Sequence, residues 1–177
     1  MERNILVVSD KKEEKILRTK TKEFDFASMS KRDITALIER MKKTMRGANG
    51  VGLSANQIGL SLRIFVAEVP DGKGGMKFYA VFNPKIEKFS THKVDFEEGC
   101  LSVPGSYGNV RRPETIVLKG YDKNGKALKI KAWGLLARVF QHEMGHLNGE
   151  LFIDKADHVH EIPLSDRLQK REEKMRT

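Results

Sequence analysis

The chain is predicted to adopt an α+β fold, with mainly antiparallel strands surrounding a central HExxH helix, an N-terminal helix before them and a C-terminal helix after. Three observations predict it. Strand-type runs crowd the middle of the chain and pair around tight turns, one at Asp71-Gly72-Lys73-Gly74-Gly75 and one at Asp122-Lys123-Asn124-Gly125. An amphipathic helical stripe precedes them. An apolar helical segment follows them, so strands and helices do not alternate as they do in a parallel fold.

Taken in order, Ile5 to Val8 is a short β-rich run, and Lys11 to Phe26 is polar and mixed, an expected irregular excursion without chemistry. Ser30 and Asp33 stand at capping spacing ahead of Ile34, Leu37, Ile38, Met41 and Met45, which form one apolar face of a helix ending near Gly47. That stripe reads as core packing. Gly50-Val51-Gly52-Leu53-Ser54-Ala55-Asn56-Gln57-Ile58-Gly59 follows, a glycine-rich loop without the Walker lysine or a dinucleotide fingerprint. Its glycines allow the main chain to approach an extended peptide, and Gln57 offers an amide donor to a developing oxyanion; an ordinary turn is the other reading. Strands are expected over Leu62 to Val69, Met76 to Phe82, Thr115 to Tyr121 and Ala127 to Trp133. Asn148-Gly149 stops the helix that holds Gln141 to His146, and Ser165 caps a final charged helix running toward Met175 with only Leu168 and Met175 as its thin apolar stripe.

A length of 177 residues predicts a single domain, 1–177, able to bury a core without staples. The single cysteine excludes an internal disulfide and fits a reducing compartment. No apolar run approaches a membrane span, and acids at Glu2, Asp10, Glu13 and Glu14 argue against a signal or transit peptide, so the expected location is cytoplasmic. The net charge of +9, from 33 lysines and arginines against 24 acids, attracts phosphate. The basic residues are interleaved with acids and no recognition motif is present. This argues against specific DNA binding and leaves room for polyanion contact, such as with a ribosome.

The chemistry centres on Gln141-His142-Glu143-Met144-Gly145-His146. Two imidazoles four residues apart share one helix face, can bind a first-row metal ion, and hold Glu143 next to any water in an open coordination position. Leu135, Leu136, Val139 and Phe140 make the segment apolar enough to be buried, so the histidines and the acid need partners. A catalytic site needs a third ligand. A metzincin-like histidine is excluded because position 152 is Phe152. A thermolysin-like glutamate could come from Glu161, Glu172 or Glu173, although Ile162-Pro163 after Glu161 is a poor helix context. Cys100 is the remaining route, since a thiolate with two imidazoles is a good soft-metal set.

Three stretches in this order, Gly50 to Gln57, Glu98-Gly99-Cys100-Leu101-Ser102 and Gln141 to His146, resemble the motifs of the peptide deformylase family. The resemblance implies a metal-dependent hydrolase that removes the formyl group from the N-terminal formylmethionine of new polypeptides and releases formate. It implies one divalent metal ion, iron(II) by preference and nickel, cobalt or zinc as substitutes, held by Cys100, His142 and His146. Metal-bound water would attack the formyl carbon, with Glu143 as general base and then general acid. The metal, the Gln57 amide and the Leu101 backbone N–H would share the oxyanion charge, and losing one such donor typically costs about 3 kcal/mol. The thiolate ligand would leave ferrous iron open to oxidation. Val51, Gly52, Leu101 and Val139 would line a slot for the methionine side chain, while the peptide would run as an added strand along Gly99 and a turn at Gly105-Ser106-Tyr107-Gly108. Glu98 and Arg112 would pair and brace the cysteine segment.

The chain departs from that family's pattern at Gly145, where aspartate is common and glycine costs about 1 kcal/mol within a helix. Ser54 and Asn56 replace the usual alanine and proline, and Arg138 stands where an apolar residue is expected. Two alternatives are a zinc peptidase with a glutamate ligand, which would not need Cys100, and a non-catalytic RNA-binding protein, which would not need Glu143.

Overall fold

The computed structural model describes residues 5–163. The expected helix from Ser165 to Met175 lies outside the described residues, as do Glu172 and Glu173. Among the described residues are three α-helices and eight strands, α1 Lys11–Leu17, α2 Lys31–Gly47, β1 Gly52–Ser54, β2 Ile64–Pro70, β3 Met76–Phe89, β4 Lys93–Cys100, β5 Val103–Pro113, β6 Thr115–Tyr121, β7 Ala127–Trp133, α3 Gly134–Leu147 and β8 Ala156–Glu161.

The strands form a five-stranded sheet in the order β1-β2-β3-β6-β7 and a three-stranded sheet in the order β4-β5-β8. Every neighbouring pair is antiparallel. The architecture is therefore α+β, as predicted. Strand β2 explains how the helices sit, because it is buried on both faces. Its Ile64 and Val66 pack with Ile34, Leu37, Met41 and Met45 of α2, whereas Phe65 and Ala67 pack with Ala137, Phe140, Met144 and Leu147 of α3. The period-two alternation of a strand thus sends successive side chains to opposite helical layers. Helix α3 also touches β5 of the smaller sheet, so it is shared by both sheets.

Helix α2 forms where predicted, with the Ser30 side chain accepting from the Asp33 N–H and all five expected apolar residues buried. The expectation for the N-terminal stretch is corrected. Lys11–Leu17 is a helix and not part of an irregular excursion, because the Asp10 side chain caps it by accepting from the Lys12 and Glu13 N–H groups and Leu17 is fully buried. A seven-residue helix shows too few apolar positions for periodicity to reveal it. Ile5 to Val8 is not a strand but a tie. The Leu6 N–H donates to the Gln57 carbonyl at 2.8 Å and the Val8 N–H to the Ser102 carbonyl at 3.0 Å. It therefore straps together the two loops that flank the site.

The segment Gly105 to Gly108 is also corrected, since it is no turn but the interior of β5, paired with β4 at Glu98↔Gly108 and Gly99↔Tyr107. Across that pair the Tyr107 ring lies over Gly99, where an added Cβ would come 2.7 Å from its Cε1. No helix of the described residues is long and apolar enough to cross a membrane.

Candidate metal centre and active site

Helix α3 presents His142 and His146 on one face with ring centroids 5.0 Å apart. Cys100 ends β4 at a register shift between Gly99 and Cys100, an irregularity that turns the thiol out of the ladder. The Sγ of Cys100 lies 3.0 Å from His146 Nε2 and accepts from the Ser102 N–H at 3.4 Å. The ligand atoms of Cys100, His142 and His146 all lie within 4.8 Å of one another, and no other such group occurs among the described residues. Glu161 is not part of it, which leaves a glutamate-ligated peptidase without a third ligand among the described residues.

The orientation of His142 is set by a buried carboxylate. Glu98 Oε2 lies 3.0 Å from His142 Nδ1, so Nδ1 carries the shared proton and Nε2 is turned toward Cys100. Glu98 itself accepts from Arg112 at 2.6 and 2.8 Å in a two-pronged pair, as the family resemblance implies. It also accepts from Arg138 Nη1 at 2.8 Å. Arg138 goes on to donate to the Val110 and Val94 carbonyls, tying α3 to β5 and β4. An apolar residue is therefore not what this position demands. A cation on the buried part of a helix has to find an anion, and that need is the sequence signal for the contact.

Electrostatics make the cluster a donor set. Burial raises the Cys100 thiol, but His146 and His142 outweigh it and hold it well below the usual thiol range. Burial disfavours a charged His142, yet the Cys100 thiolate and Glu98 overcome that and push it up to about 10. Thiol and imidazole thus each favour the charged form of the other, and a cation would compete with the proton for the same atoms. Burial likewise raises Glu98, while Arg112 and His142 hold it well below the usual carboxylate range. A thiolate, two imidazoles and a carboxylate behind one imidazole fit a divalent first-row ion. Glu98→Gln is expected to weaken metal affinity by about 10-fold to 100-fold in chelator competition, because His142 loses the charge that orients it. Wild-type affinity in that variant would sink this role.

Glu143 is 3% exposed and is not one of the clustered ligand groups. Burial raises its carboxyl above the usual range, against the opposing pull of His142, His146 and the Ser54 hydrogen bond. Glycine at position 52 is required by close approach, since a Cβ there would overlap Glu143 Oε1. Gln57 is buried and its Nε2 faces Ser102 Oγ at 3.1 Å and Cys100 Sγ at 3.8 Å. Of the expected substrate contacts, Val51 and Val139 pack in the α3 cluster, whereas Leu101 packs against the α2 cluster. Tyr107 and Gly99 face each other across β4 and β5.

Sequence reasoning singled out Ser54 and Asn56 only as departures, and both make contacts to α3. Ser54 Oγ donates to Glu143 Oε2 at 2.6 Å, and Asn56 Nδ2 donates to the His146 carbonyl at 2.6 Å. At Gly145 a Cβ would meet only ordinary contacts, the nearest being the Glu150 carbonyl at 3.7 Å, so space does not dictate glycine there. Ser102, which receives the Gln57 amide, was not anticipated as part of the site.

The family model for polypeptide deformylase matches residues 3–162. A peptide deformylase of Pelotomaculum thermopropionicum is 42% identical over 149 residues, covering 84% of this chain and 90% of that one. The crystal structure of a probable peptide deformylase from Synechococcus phage S-SSM7 aligns with a TM-score of 0.76 at 38% identity, covering 85% of this chain and 97% of that one. A class I type b peptide deformylase from Acinetobacter baumannii aligns with a TM-score of 0.79 at 30% identity, covering 86% and 97%. With a family match over nearly the whole described chain and relatives this similar along most of their lengths, the chain belongs to the polypeptide deformylase family.

Proposed function

We propose that this chain removes the N-formyl group from the formylmethionine of newly made polypeptides, using Cys100, His142 and His146 as metal ligands and Glu143 as general base and acid. The family membership makes it a hydrolase of the deformylase class, and that family is metal-dependent. One observation supports the residue roles above all others. Three ligand atoms converge within 4.8 Å, and the buried Glu143 carboxylate is electrostatically coupled to all three residues.

Cys100, His142 and His146 would hold a divalent ion, iron(II) by preference or nickel, cobalt or zinc, which would supply Lewis acidity and make water acidic enough to lose a proton near neutral pH. Glu143 takes that proton as the water attacks the formyl carbon and passes it to the departing amine. Gln57 Nε2 and the Leu101 N–H donate to the developing oxyanion, which stabilises the transition state more than the substrate. Val51, Gly52, Val139 and Leu101 receive the methionine side chain, and Gly99 and Tyr107 flank the peptide backbone as it adds to the β4 edge. We read residues 1–177 as one catalytic domain, a reading supported by α3 touching both sheets. We place its work in the cytoplasm, and the +9 charge supports contact with a polyanion such as the ribosome.

The test is formate release from a formyl-Met peptide by anaerobically prepared, iron- or nickel-loaded protein. Formate and free amine are expected in equal amounts. Protein that holds metal and releases no formate overturns the reading.

A further inference from the structure

We propose that Ser54 is a positioning residue that holds the Glu143 carboxylate and the Gln57 amide in one fixed relation, so that base and oxyanion donor address the same formyl group. The inference rests on the functional reading above and adds to it a residue that reading leaves without a role.

Ser54 ends β1, the edge strand of the larger sheet, and is fully buried where the chain enters the 3-10 turn Ala55–Ile58. Its Oγ lies 2.6 Å from Glu143 Oε2 and 3.1 Å from the Glu143 carbonyl oxygen. A hydroxyl has one proton to give, and the shorter, charge-assisted contact takes it. Gly52 stands two residues earlier on the same strand, hence on the same face, and its missing Cβ is what admits Glu143 Oε1. The carboxylate is therefore gripped at both oxygens, one against a bare Cα and one by a hydroxyl. Rotation about the terminal bond of a glutamate is soft, so such a grip selects one setting from a broad range.

The same residue fixes Gln57 from its backbone. The Ser54 N–H donates to Gln57 Oε1 at 2.9 Å. A glutamine amide exchanges donor and acceptor when it flips, and this bond decides the orientation by holding the oxygen inward. The Gln57 NH₂ group is thereby aimed toward Ser102 Oγ and Cys100 Sγ. Base and oxyanion donor lie 86 positions apart in sequence, at 143 and 57, and Ser54 bonds to both.

Ser54→Ala removes the hydroxyl and leaves the backbone N–H to Gln57 in place. Formate release from the metal-loaded variant is expected to show kcat lowered about tenfold, with KM and metal content unchanged. Introduced into Glu143→Ala, the same substitution is expected to alter the residual rate by less than about twofold, because its effect passes through Glu143. Ser54→Thr, which keeps the hydroxyl, is expected to recover most of the rate. If the alanine variant does not accumulate, Ser54→Cys, nearly the same size but a weak donor, is read in the same way. An unchanged kcat in the variant, an equal loss in the Glu143→Ala background, or loss of metal would overturn the proposal. Wild-type protein that fails to release formate overturns the functional reading itself and this proposal with it, a result separable because the wild type is measured first.

Discussion

Replacing Glu143 with alanine is expected to slow formate release by about two to four decades while metal content stays at the wild-type level. The asymmetry follows from the geometry. Glu143 lies outside the group of clustered ligand atoms, yet it is buried, bonded by Ser54 and coupled electrically to both histidines. A carboxyl that burial raises above its usual range is closer in proton affinity to the water and amine it must exchange protons with. Metal analysis and steady-state formate detection on the same preparation settle the matter. A rate within about threefold of wild type would remove Glu143 from the acid–base role, since such a group ordinarily contributes at least a hundredfold. Loss of metal would make it a ligand instead.

Replacing Cys100 with alanine is expected to weaken metal binding by more than about a hundredfold, beyond what removal of an orienting partner such as Glu98 costs, and to abolish activity at ordinary metal concentrations. Of the three grouped residues only Cys100 can offer an anion, and the neighbouring histidines hold its thiol well below the usual range. Removing it also takes away a leading reason that His142 is pushed up to about 10, and leaves the two imidazoles with Glu98 behind His142 but no thiolate between them. Titration against a chromogenic chelator measures the loss. Unchanged metal content would place the third ligand elsewhere and revive a glutamate-ligated centre.

Much of the fold was legible where pattern and packing agree. Helix α2 begins after Ser30 and buries the five residues its spacing named. Strands β6 and β7 occupy Thr115–Tyr121 and Ala127–Trp133, the predicted spans, because a tight turn pins their register. Strand β3 was read too short. It continues past Phe82 to Phe89 through Pro84 and two register shifts, features that break local alternation without ending the pairing with β6. Strands β1, β4, β5 and β8 fall outside the predicted strands, β1 within the expected glycine loop and β5 across the expected turn at Gly105 to Gly108. Strand β8 has only Ala156 and Val159 as apolar residues, on opposite faces, so its own pattern does not mark it, whereas β4 alternates Val94 and Phe96 with Lys93, Asp95 and Glu97 over a span too short and too exposed to stand out.

The same division runs through the site. By itself the sequence determined that His142 and His146 share a helix face with Glu143 beside them, because i, i+4 spacing sets that geometry within a single turn. It also offered Cys100 as one of two open routes to a third ligand and Gln57 as an amide donor, and the resemblance to the deformylase motifs is what chose them. Only the tertiary structure decided which groups bind to which. The thiol meets His146 across 46 residues, Glu98 meets His142 across 44 and Ser54 meets Glu143 across 89. Helical periodicity is a property of neighbouring residues and is written locally. Contacts over such separations exist only once two sheets have closed on α3, when burial obliges each polar group to find its partner among side chains that the sequence keeps far apart.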